Sequence, residues 1–170
     1  MEEPAMMTTT IAETEAVFRA DPAKARTRPT VTATLVNGRA RLAAGPFNWD
    51  ADLPALLGGE NLAPSPTAYL LGALAGCAVA FLRDTLAPQF DVHIDDVTAV
   101  ATASSDLRGL LAIDGATPDL GDLGLDIQVA SSSQPDRVEA MFAAWRARCP
   151  IYLALLNPNG IALTTSVAPA

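Results

Sequence analysis

Two thiols are the side chains in this sequence best suited to chemistry, Cys77 and Cys149. A cysteine can serve as a nucleophile, a metal ligand, half of a disulfide or a small hydrophobe. Cys149 stands directly before Pro150. With Pro150 as a first helical residue, Cys149 takes the N-cap slot, where free backbone N–H groups favour a thiolate, and Arg146 and Arg148 lie close in sequence. Cys77 has no such help. It lies about three turns inside the apolar run SPTAYLLGALAGCAVAFL at 65–82, so a reactive Cys77 needs a cation brought from another segment. On residue type and spacing it is either core filler or a reagent. A single histidine, His93, and two distant cysteines make no ligand pair at zinc spacing. His93 alternates with Val92 and Ile94 at the start of a predicted strand and reads as a surface residue without a role.

The elements that must position these thiols follow from periodicity. Residues 65–82 open with Ser65 as N-cap and Pro66 at the first helical position, and the helix is predicted to run to Ala87, where Pro88 stops it. It carries no charge over 69–82, so it reads as a helix buried on nearly every side, and that stretch is shorter than the about 18 apolar residues of a membrane span. Before it, TVTATLV at 30–36 alternates like a strand, Asn37-Gly38 signals a two-residue hairpin, and RARLAAG returns as the second strand. FNWDADLPALLGGENLAPSP reads as a long irregular loop. Strands are predicted at 91–105 and 120–133, with a connection between them. The stretch 134–148 is a helix with one apolar face of Val138, Met141, Phe142 and Trp145; CPIYLALL begins another, and 160–168 closes as a strand. At the other end, 8–20 is a short amphipathic helix capped by Thr8, Thr9 or Thr10, and DPAKARTRP is a linker. The order of strands and helices predicts an α+β fold with antiparallel sheet. The domain organisation is an N-terminal extension at 1–28 and one domain at 29–170.

Composition narrows the function classes. The chain has 170 residues, half of them hydrophobic, enough for a sizeable core. Its net charge is −8, from 19 acidic against 11 basic residues with no Lys/Arg cluster, which argues against nucleic acid as a partner. MEEPAMMTTT is acidic and polar rather than a basic n-region, so the expectation is a cytoplasmic protein without a membrane partner, in a compartment that keeps thiols reduced.

SPTAYLLGALAGC resembles a family pattern in which a proline-led helix ends in Ala-Leu-Ala-(Ala/Gly)-Cys, and CPIY at 149–152 resembles that family's second cysteine motif. Together they are similar to the OsmC/Ohr family of osmotically inducible and organic hydroperoxide resistance proteins, on its OsmC-like branch. DLPALLGGENLAPSP at 52–66 is similar to the family's Asp-x-Pro…Gly-Gly lead-in, and SSDLRGLL at 104–111 to its Asp-Leu-Arg-Gly strand end. The resemblance covers 29–167. It implies an α+β fold of antiparallel sheets wrapped around long buried central helices, in an intertwined homodimer. It further implies Cys77 as the peroxidatic thiol that reduces a small apolar organic hydroperoxide, Cys149 as the resolving thiol, no bound cofactor, and an external lipoyl-type dithiol as reductant. The family's activating arginine has its nearest counterpart in Arg39, after Asn37-Gly38, which reads equally well as a solvated arginine beside a tight turn; Arg41, Arg28 and Arg83 are the next candidates. The family's glutamate after the helix-opening proline is Thr67 here, and Glu60 is a substitute acid without a motif behind it. Alongside the peroxidase stands a second expectation, a non-catalytic OsmC-like module that binds an apolar ligand or a protein partner.

Overall fold

The computed structural model describes residues 10–157 and 160–167. The first helix, α1 (Ile11–Ala20), begins at Thr10, whose hydroxyl accepts from the Glu13 backbone N–H while the Glu13 carboxylate accepts from the Thr10 backbone, a reciprocal capping box. Thr8 and Thr9, the other two candidate caps, lie outside the described residues. The predicted linker contains one 3₁₀ turn, Pro22–Ala25, started by the Asp21 side chain.

A three-stranded antiparallel sheet follows, β1 (Thr32–Val36), β2 (Arg39–Ala44) and β3 (Phe47–Ala51), in the order β1-β2-β3. The hairpin between β1 and β2 forms as its sequence dictates: Asn37 and Gly38 both take positive φ, +49° and +78°, the pair that a tight two-residue turn requires. The third strand is a correction. Residues 47–51 were expected to be irregular, yet Gly45 at φ +54° turns the chain and FNWDA pairs with β2, Trp49 opposite Leu42 and Asp50 opposite Arg41. The sequence FNWDA lacks a clear alternation of apolar and polar residues, and the cross-strand Arg41–Asp50 ion pair supplies part of what holds it.

Helix α2 (Pro66–Phe81) carries Cys77. Ser65 Oγ accepts from the Ala68 N–H at 3.2 Å, the expected N-cap. The helix does not stop at Pro88. It widens into a π-helical turn over Leu82–Leu86 and continues as α3 (Ala87–Phe90), with Pro88 in that short helix's first turn. A proline cannot donate, and the wider turn lets the chain pass it before Asp91, at φ +51°, ends the helix. The run Pro66–Phe90 is thus 25 residues, long and apolar enough on length and composition to cross a membrane. Leu74, Ala78, Leu82 and Leu86 instead form a buried stripe at four-residue spacing, as in a core helix.

The remaining elements are β4 (Asp96–Ser104), β5 (Gly121–Ala130), α4 (Pro135–Arg148) and α5 (Pro150–Leu156). β4 and β5 form a two-stranded sheet, both shorter at their ends than expected; residues 91–95, with His93, precede the strand. Between them lies a 3₁₀ turn, Leu107–Leu111, begun by Asp106. The chain divides into two compact units. One takes the described residues up to Gly72 with Ala101–Gly124, and the other takes Ala73–Val100 with the described residues from Leu125 onward. The core of the second joins Ala78, Leu82, Leu86, Ala87 and Val92 to Met141, Ala144, Trp145 and Cys149. Within a single chain the central helix is buried along one stripe, with Leu70, Gly72, Gly76 and Ala80 exposed. One expectation is corrected. No strand forms over 160–167; Ile161, Leu163 and Val167 stand 92, 83 and 98 % exposed, because no neighbouring strand meets them among the described residues. Position 168 lies outside those residues.

Candidate active site

The second unit brings the two cysteines together. Cys149 caps α5, Pro150 takes its first position, and the Cys149 N–H still donates to Trp145 C=O at 2.9 Å, so the thiol is fixed at the corner between α4 and α5. There the Cys149 thiol faces Cys77 on α2, with 3.3 Å between sulfurs. Both are free thiols, against the about 2.05 Å of a disulfide. Cys149 is wholly buried, and Cys77 is half-buried, the more accessible of the pair. Trp145 backs the corner, its ring 5.1 Å from that of Tyr152 between centroids.

The electrostatics differ from the sequence expectation in one respect. The cap of α5 was assigned to Cys149, yet that side chain makes no capping bond. The backbone N–H of Ile151, in the first turn of α5, instead favours the Cys77 thiolate. Nothing in the sequence pairs residue 151 with residue 77; only folding does. Burial and the neighbouring Cys149 sulfur outweigh that donor and push Cys77 up to about 11, because a charge in an apolar setting is poorly solvated and a second thiolate beside a first is disfavoured. Cys77 therefore rests as a protonated thiol at neutral pH.

The other candidates lie in the first unit. Arg39 opens β2, half-buried, and its Nε is buried without a hydrogen-bond partner among the described residues. Arg41 is engaged by Asp50 through two nitrogens, Arg83 is exposed and paired with its neighbour Asp84, and Arg28 is exposed. Thr67 is exposed in the first turn of α2. Glu60 is exposed, and its backbone rather than its carboxylate takes part in the loop. That loop, residues 52–65, is organised by Asp52, which only its place in the Asp-x-Pro lead-in had marked. Asp52 is 8 % exposed and accepts from Leu53 at 2.8 Å, Glu60 at 3.2 Å and Leu62 at 3.0 Å. These backbone donors, with Leu62 foremost, hold its carboxyl below the usual aspartate range. Gly59 is obligatory here, since a Cβ would collide with the Leu53 carbonyl and come within 2.8 Å of Asp52 Oδ1. The Tyr69 hydroxyl donates to Asp50 C=O at 2.6 Å and pins the start of α2 to β3. His93 is exposed, its Nε2 3.1 Å from Asp95 Oδ1.

An apolar helix presenting a half-buried thiol to a second thiol, beside antiparallel sheet, defines an α+β dithiol protein. The OsmC-like protein family model matches residues 58–165, more than half of the chain and both cysteines, and the chain belongs to that family. The fold is similar to that of an OsmC-like protein from Mycoplasma pneumoniae (21 % identity over 78 % of this chain and 89 % of that one, TM-score 0.63). It is also similar to an organic hydroperoxide resistance protein OsmC from Legionella pneumophila (21 % identity, 77 % and 90 % covered, TM-score 0.54). A third similar structure is an organic hydroperoxide resistance protein from Elizabethkingia anophelis (15 % identity, 78 % and 91 % covered, TM-score 0.51). No curated protein matches the chain.

Proposed function

We propose that this protein is a two-cysteine thiol peroxidase that reduces organic hydroperoxides in the cytoplasm, as part of oxidative stress defence. The observation that carries this reading is the 3.3 Å approach of two free thiols of unequal exposure. The accessible Cys77 attacks the outer oxygen of ROOH as a thiolate; the O–O bond breaks, ROH leaves with a proton, and the sulfur becomes a sulfenic acid. Cys149 then attacks that sulfur, the S–S bond forms, and water is released. An external dithiol of the lipoyl type returns both thiols by two exchange steps, leaving as its own cyclic disulfide, so no bound cofactor is needed. Arg39 is the cation assigned to lower Cys77, with Thr67 and Glu60 at the substrate side, and a homodimer covers the exposed apolar faces of α2. Membership of a family whose similar structures include hydroperoxide resistance proteins supports the substrate class.

The test is turnover. With dihydrolipoamide as reductant, cumene hydroperoxide is consumed catalytically by the native chain and not by Cys77→Ser. Two features favour a second reading, a non-catalytic module: the family acid is Thr67, and burial pushes the Cys77 thiol up to about 11. Absence of turnover with dihydrolipoamide, glutathione and thioredoxin alike supports the module and overturns the peroxidase.

A further inference from the structure

We propose that Asp52 is the carboxylate that positions Arg39, in the role of the missing acid at Thr67; the proposal rests on the reading of Arg39 as the cation that activates Cys77. The strand register points to it. β2 and β3 pair Arg41 with Asp50 and Ala40 with Ala51, and one further step of the same antiparallel register sets Arg39 opposite Asp52. Alternation places both Arg/Asp pairs on one face of the sheet, where directly opposed side chains interact. Asp50 is already committed to Arg41. Glu60 is exposed and gives Asp52 its backbone N–H, so its own carboxylate is not the partner.

The hydrogen-bond inventories also match. A carboxylate offers about four acceptor sites. Leu53 occupies one at 2.8 Å, and Glu60 and Leu62 occupy two more at 3.2 and 3.0 Å. One remains. Arg39 has a buried Nε–H with no partner among the described residues. Arg39 thus has an unmet donor and Asp52 an open acceptor at the same end of the sheet. Arg39 is also among the groups that hold the Asp52 carboxyl low, after the backbone donors. Because Asp52 is fixed by three backbone bonds and nearly sealed from water, it is a rigid anchor for a guanidinium, and its charge acts with little screening. Asp52 is a positioning residue: it acts on the thiol only through Arg39.

The experiment measures iodoacetamide alkylation of Cys77 at neutral pH in the full chain carrying Cys149→Ser, so that one thiol is read. Arg39→Ala slows alkylation by roughly tenfold, the equivalent of one pKa unit. Asp52→Asn slows it in the same direction but adds nothing once Arg39 is alanine. Thr67→Glu restores the rate in Asp52→Asn and restores nothing in Arg39→Ala. A loss from Asp52→Asn of equal size with and without Arg39 shows that Asp52 only builds the loop and overturns this proposal alone. A silent Arg39→Ala refutes the reading of Arg39 and this proposal with it, while leaving the two-cysteine reaction standing. Should Asp52→Asn not fold, exchange of the Arg39 Nε–H in the unaltered chain decides: protection relative to Arg28 supports the pairing, and exchange as fast as at Arg28 overturns it.

Discussion

At the residue scale, the two thiols show what sequence can and cannot say. Their identity, the Cys-Pro corner and the N-cap position of Cys149 are legible, because each depends on adjacent residues. That the α5 N-terminus serves Cys77 rather than its own cap residue is not legible, because it depends on the crossing of two helices. The same is true of Asp52, whose three acceptor bonds come from backbone up to ten residues away. The elevated Cys77 value has a consequence with a definite sign. A thiol pushed up to about 11 is protonated at neutral pH, so alkylation of the resting protein rises steadily with pH toward that range. A rate already flat above pH 8 would mean that burial does not raise this thiol. Cys149→Ser removes the resolving sulfur, and one equivalent of hydroperoxide then leaves a dimedone-reactive sulfenic acid on Cys77. Dimedone labelling at no cysteine in that variant would contradict the assignment of Cys77.

At the scale of elements, what could be read was whatever local rules settle. The Asn37-Gly38 hairpin, the Thr10 capping box and the Ser65-Pro66 helix start each contain their own partners within four residues. What could not be read needed a distant partner or the lack of one. β3 is held by β2 rather than by its own pattern, and the alternating tail at 160–167 forms no strand without a neighbour. Pro88 misleads because the π-helical turn before it changes the register in which a proline is harmful. The stripe on α2 that continues through that turn carries much of the second unit's core. Leu82 is fully buried there beside Met141 and Cys149. Leu82→Ala should therefore cost about 2–5 kcal/mol of stability, measured by urea unfolding. A loss under about 1 kcal/mol would mean the stripe does not bear on the core.

At the scale of the whole molecule, the sequence predicted a helix apolar on every face, and the chain by itself covers one stripe of it. β1 is exposed throughout, with Leu35 81 % exposed, and the apolar tail lies open. So much uncovered apolar surface is unusual for a monomer, and the proposed homodimer would cover it. Light scattering at low micromolar concentration should accordingly give the mass of a homodimer, and a stable monomer would contradict the shared-core arrangement. The central claim is that the two thiols of one chain form a redox pair, and intact-protein mass spectrometry under denaturing, non-reducing conditions tests it most directly. After one equivalent of cumene hydroperoxide the account predicts a single-chain mass lower by two hydrogens, with Cys77 and Cys149 recovered in one disulfide-linked peptide. A chain that keeps both thiols reduced, or that oxidises Cys149 while Cys77 stays free, would contradict it.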